Sequence, residues 1–132
     1  MGYRKLYEAV GYLFHSIAFA DKKVTVPETN ALTNAVKENW VSIEEGRDTF
    51  GTDEAHYISI TFDYLAESEM PVDESWEYFE NYFNENKELF TPELKNLIYS
   101  TSHSIANATA SISKSESDLL MHLKKLLNIK TT

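Results

Sequence analysis

Leu6, Val10, Leu13, Ile17 and Ala20 recur at intervals of three and four residues, the spacing that places side chains on one face of an α-helix. Tyr7, Gly11, Phe14 and Ala18 make a second apolar face beside the first, so this helix is expected to be surrounded by others. Thr25 and Glu28 have the spacing of a capping box, with Pro27 in the first turn, and the helix they open is predicted to bury Leu32, Ala35, Val36 and Trp40. Ser42 and Glu45 are placed to cap a short third helix ending near Gly51, and Thr52 or Asp53 to cap a fourth running to about Glu67. Within that fourth element Ile58, Ile60, Phe62 and Tyr64 alternate with Ser59, Thr61 and Asp63, which is a strand pattern. Helix is still the expectation, because a lone strand has no partner in a chain that is otherwise helical. Asp73 is expected to cap a fifth helix with Trp76, Phe79 and Phe83 as its apolar stripe, Tyr78 and Tyr82 beside it, and Glu74, Glu77 and Glu80 interleaved. Thr91, followed by Pro92, caps a sixth that buries Leu94, Ile98, Thr101, Ile105 and Ala108. Ser113 and Glu116 box a seventh with a stripe of Leu119, Leu120, Leu123, Leu126 and Leu127. The expected fold is all-α: one domain over residues 1–132, a bundle of about seven helices.

Part of this pattern is used twice. A shift of 88 residues lays His15-Ser16-Ile17-Ala18-Phe19-Ala20 over His103-Ser104-Ile105-Ala106-Asn107-Ala108, with five of six positions identical. Val24, Thr25 and Glu28 then fall on Ile112, Ser113 and Glu116, and Leu32 falls on Leu120. Each copy reads as a helix ending in small residues, a short turn with one inward apolar residue, and a capping box that opens the next helix. The unit is an internal helix–turn–helix repeat, and its four polar residues Thr25, Glu28, Ser113 and Glu116 are accounted for as helix caps.

The repeated unit resembles the signature of the TerB-like family, found in tellurite-resistance proteins and at the N-terminal side of a membrane-anchored DnaJ-type co-chaperone. In that family a helix ends in Ala-Asp-Gly, a Val or Ile follows two residues on, and a Glu comes four residues after it. Ala20, Asp21, Val24 and Glu28 match, with Lys22 in place of the glycine; the second copy keeps Ala108, Ile112 and Glu116 but has Thr109 and Ala110 at the other two places. The resemblance implies a compact all-helical fold, and divalent-metal binding through acidic residues has been suggested for family members. Here Asp21 is followed by Lys22 and Lys23, whereas a hard cation needs several converging oxygen ligands. A calcium-binding loop of the EF-hand type is excluded as well, since the twelfth position counted from Asp21 is Leu32 rather than Glu.

Composition narrows the function further. With 42% hydrophobic and 25% charged residues and only three Pro and four Gly, this is the composition of a globular protein with a core. There is no cysteine, which removes disulfides, thiol nucleophiles and cysteine-held zinc or iron–sulfur sites, and fits a cytoplasmic setting. Arg4 and Lys5 precede an apolar stretch ending Ala18-Phe19-Ala20, as in a secretory signal, but Glu8 and His15 interrupt it and the pattern recurs near the C-terminus; it is read as a core helix. No run approaches the roughly 18 apolar residues of a membrane span. The net charge of −9 divides into +1 over Met1 to Ile43, −13 over Glu44 to Glu93 and +3 over Leu94 to Thr132. An acidic middle of that size repels nucleic acid and anionic lipid.

Three sets of residues are candidates for function. His15 and His103 occupy equivalent places in the two copies, and two facing imidazoles can bind zinc or titrate near neutral pH. They lack a third ligand by spacing, so with Asp21 they form only a weak metal set, and partly buried histidines bonded to backbone or to Tyr12 and Tyr99 are the simpler expectation. Ser16 and Ser104 lack a nucleophile elbow and read as small residues for close helix packing. Tyr78 and Tyr82 fall on another arc of the fifth helix from its apolar stripe, among Glu74 and Glu77, and aromatics with polar tips are common at interfaces. The expectation is therefore a non-enzymatic protein-interaction or regulatory module with no cofactor, whose unknown partner carries a basic face. A homodimer is left open, and the alternative is a divalent-metal-binding stress protein.

Overall fold

The computed structural model describes residues 4–21, 24–40, 55–108 and 112–129, and every regular element among them is helical. The α-helices are α1 (Arg4–Ala18), α2 (Val26–Ala35), α3 (His56–Ser68), α4 (Val72–Glu85), α5 (Pro92–Ala106) and α6 (Lys114–Leu127). α1 continues into a 3-10 turn, Phe19–Asp21; α2 continues into a π-helical turn, Val36–Trp40; a second 3-10 turn, Lys87–Leu89, precedes α5. The short helix expected from Ser42 to Gly51 and the caps Thr52 and Asp53 lie outside the described residues, as do Lys22, Lys23, Thr109 and Ala110.

α1 is the central element and packs against α3, α4, α5 and α6. Its two apolar faces merge into one buried surface, leaving only Arg4, Lys5, Glu8 and Tyr12 of this helix in reach of solvent. The approach to α3 is closest at Gly11, where a Cβ would lie 2.9 Å from the Thr61 Cβ and 3.1 Å from the Ile58 carbonyl oxygen. Only a residue without a Cβ lets the two backbones come this near.

The segment with the strand-like alternation is the helix α3. Ile58, Phe62 and Leu65, spaced four and three apart, are fully buried, and each such side chain contributes roughly 1.5–3 kcal/mol. The other apolar members of the alternating set, Ile60 and Tyr64, are 58% and 65% exposed. Helical spacing wins because α1 offers a helical groove, and no strand exists among the described residues to complete a ladder.

Side-chain caps mark where three of the six helices begin. The Thr25 hydroxyl accepts from the Glu28 N–H (3.3 Å) while the Glu28 carboxylate accepts from the Thr25 N–H (2.9 Å). Ser113 and Glu116 repeat the arrangement at 3.1 and 3.0 Å. Both glutamates are buried, which is tolerable because the cap satisfies the carboxylate with a backbone donor. Thr91 accepts from the Leu94 N–H at 3.1 Å, with Pro92 in the first turn. α4 departs from expectation: its N-cap is Pro71, not Asp73. The Pro71 carbonyl accepts from the Ser75 N–H (3.0 Å), so the helical ladder has already begun when the chain reaches Asp73, whose carboxylate accepts from the Glu74 N–H (3.0 Å). α3 likewise starts from Ala55 without a side-chain cap.

The second half of the bundle closes on the first through α5, which packs on α1, α2 and α6. The Trp40 indole N–H, at the end of the π turn, donates to the Thr101 hydroxyl (3.1 Å), and its ring stands edge-on to Tyr7 and Phe14. On α6, Leu120, Leu123 and Leu127 are buried and Leu119 and Leu126 half-buried. Among the described residues no helix is long and apolar enough to cross a membrane.

Candidate functional site

The two equivalent histidines occupy opposite environments. His15 is fully buried; its Nε2 lies 2.9 Å from the Met70 carbonyl oxygen, and its ring stacks on Phe19 and meets the edge of Phe62. A carbonyl only accepts, so Nε2 carries the proton and the neutral ring turns Nδ1 into a buried acceptor that finds no hydrogen-bond donor among the described residues. Burial lowers the His15 pKa from its ordinary value, partly countered by the Met70 carbonyl. His103 is exposed and lies beside Tyr99, with 6.4 Å between ring centroids. His15 is thus bonded to backbone rather than to Tyr12, and the facing imidazole pair is not formed. Ser16 is buried and donates to the Leu13 carbonyl (2.6 Å), whereas Ser104, expected at a close helix contact, is exposed. Among the described residues no three His, Asp or Glu side chains gather as a metal site; the Asp21 side chain lies outside the described set.

The tyrosines of α4 belong to a larger aromatic surface. Tyr78 is 44% exposed and stacks flat on Tyr12 of α1, with ring centroids 3.8 Å apart and planes within 12°. Tyr82 is half-buried, its edge set against Phe90, which anchors it to the core beside Phe79 and Phe83. Burial raises the Tyr12 pKa, and the neighbouring Tyr78, Tyr64 and Glu8 raise it further; Tyr82 is raised by burial and then by Tyr78 and Glu88. Asp63 on α3 is also raised, by partial burial and by Glu67 beside it. The surface therefore gathers Tyr12, Tyr64, Tyr78 and one edge of Tyr82 from three helices, among carboxylates. Glu74 and Glu77 are exposed on the same helix as Tyr78. Trp76 is half-buried with its indole N–H donating to Glu80 (3.1 Å), a bond that fixes the ring.

The sequence reading singles out Tyr78, Tyr82, Glu74 and Glu77, and the structure places Tyr12 and Tyr64 beside them. Tyr12 is the one aromatic of α1 that falls outside its apolar faces, on the side of Arg4, Lys5 and Glu8, and that offset was the available signal. Tyr64 was hidden inside the strand-like alternation of α3.

The described residues also line two hollows. One, of about 500 Å³, lies where Phe19, Val72, Trp76 and Leu119 meet, with Asp73 and His122 as its polar side chains. The other, of about 330 Å³, lies between α5 and α6. The second is lined by His103, Ser117 and Lys124 among others, and no hydrogen bond joins Ser117 to His103 among the described residues. Compared with protein-family models, with curated proteins and with solved structures, the chain matches none.

Proposed function

We propose that this chain is a non-enzymatic interaction or regulatory module of the TerB-like type, which meets a basic protein partner through the tyrosine-bearing acidic surface of α1, α3 and α4. The observation that carries the reading is the Tyr12–Tyr78 stack: two large aromatic rings held rigid against each other and left open to solvent. Rigid aromatics lose little side-chain entropy on binding and are enriched among residues that dominate interface energetics. The surrounding charge supports the sign of the partner, since Glu44 to Glu93 carries −13. Complementary charge steers association and makes it sensitive to salt beyond a Debye length of about 8 Å.

The test is capture of the partner from a lysate of the source organism by the full chain, compared with Tyr78→Ala combined with Glu77→Lys. The expected result is one protein with a basic face, retained at low salt, released as salt rises and lost from the variant, whose helical circular dichroism is unchanged. Retention by the folded variant at undiminished level overturns the proposal. Tyr82 is left intact in this experiment because its contact with Phe90 gives it a structural role.

A further inference from the structure

The chain has eight tyrosines, and two of them are set ring against ring. Tyr12 of α1 and Tyr78 of α4 lie with centroids 3.8 Å apart and planes within 12°, the separation at which carbon atoms touch. Tyr7, by contrast, stands edge-on to Trp40, Tyr82 edge-on to Phe90, and Tyr99 beside His103. The packing of α1 on α4 holds the pair together: Leu13 and Phe79, the residues that follow the two tyrosines, are both fully buried. The rings therefore meet in the folded chain at the high effective concentration of groups fixed side by side. Tyr78 is exposed and Tyr12 half-buried, so a reagent in solution reaches the pair from the Tyr78 side.

We propose that Tyr12 and Tyr78 are a site of oxidative modification, at which a one-electron oxidant joins the two rings through a carbon–carbon bond and ties α1 to α4. Each phenol gives one electron to the oxidant and its hydroxyl proton to water. The two phenoxyl radicals that result carry unpaired spin on the oxygen and on the ring carbons ortho to it. One ortho carbon of each ring forms the new bond. The C–H bond at each of these carbons then breaks, and its hydrogen passes to the ring oxygen, which restores both aromatic rings and both hydroxyls. The protein loses two electrons and two protons, and one hydrogen peroxide, acting through a haem peroxidase, takes them up as two waters. Contact between the rings also carries the oxidation inward: a radical on Tyr78 draws an electron from Tyr12, after which Tyr78 is oxidised again. This chemistry asks nothing of a partner and stands apart from the docking role of the same face. Tyr64, which is 65% exposed, is the competing phenol, open to coupling between molecules.

The test treats the dilute full chain with a haem peroxidase and hydrogen peroxide, recovers the monomer and maps it by digestion and fragment mass spectrometry. The expected monomer has lost two hydrogen atoms, shows the blue fluorescence of linked phenols, and carries its bond between Tyr12 and Tyr78. The yield per molecule is expected to hold on further dilution, as a bond within one chain requires. Tyr12→Phe and Tyr78→Phe, which keep the ring and remove the hydroxyl, are each expected to abolish the product, and Tyr64→Phe to leave it. The mapping is made on the unaltered chain, so its outcome does not depend on the folding of a variant. A treated monomer in which Tyr12 and Tyr78 stay unjoined while Tyr64 is consumed overturns the proposal. So do bonds found only between molecules, and a linked monomer that persists in Tyr12→Phe.

Discussion

The two copies of the repeated segment share five of six residues from His15 to Ala20 and from His103 to Ala108, yet one is enclosed and the other is half open. Ile17 and Ile105, like Ala18 and Ala106, are fully buried in both. These residues face the interior that α1 and α5 share. His15 and His103 face away from it, and there the copies part: α3 and the Met70 turn cover the first, and no described element covers the second. Local sequence therefore sets the helix, its cap and its inner face in both copies. The exposure of the outer face depends on what else the chain places against it.

The largest expected effect tests the covered copy at its closest contact. Gly11→Ala inserts a methyl group 2.9 Å from the Thr61 Cβ and is expected to cost about 1–3 kcal/mol in denaturant unfolding, the range for overpacking. Tyr99→Ala at the matching position is expected to cost less, because its ring borders an open hollow. Equal costs would remove the contrast between the copies.

A smaller effect tests what the copies share. Glu28→Ala and Glu116→Ala each remove one arm of a capping box and are expected to destabilise by similar amounts, about 0.5–2 kcal/mol, the range for lost caps. A large difference between the two would mean that buried surroundings, not the cap, decide the role of these carboxylates.

The smallest effect appears only on the acid side. The folded-state pKa of His15 is lowered, so the unfolded chain takes up a proton first as pH falls. The stability that depends on a neutral His15 is complete above the ordinary histidine value of about 6.5 and is lost as pH falls from there toward the lower folded value. His15→Gln is expected to flatten that part of the curve of urea midpoint against pH.

The positions of the six described helices, both capping boxes and the inner stripes were legible in the sequence, because each rests on interactions within a few residues of the chain. The Thr25–Glu28 and Ser113–Glu116 pairs need only a three-residue spacing and a free N–H at each end. Asp73 shows the limit of the method: it has the right side chain for a cap, and the carbonyl of Pro71 had already opened the helix. The stacking of Tyr12 on Tyr78, the burial of His15 and the open groove beside His103 were not legible. Each depends on which helix packs beside which, across separations such as the 55 residues between His15 and Met70. Periodicity reports that a face is apolar and a cap reports where a helix starts. Neither reports the neighbour, because helices of similar apolar stripe gain similar free energy from burial against several alternatives. The choice among those alternatives is made by close fit at points such as Gly11, and only the tertiary structure decides it.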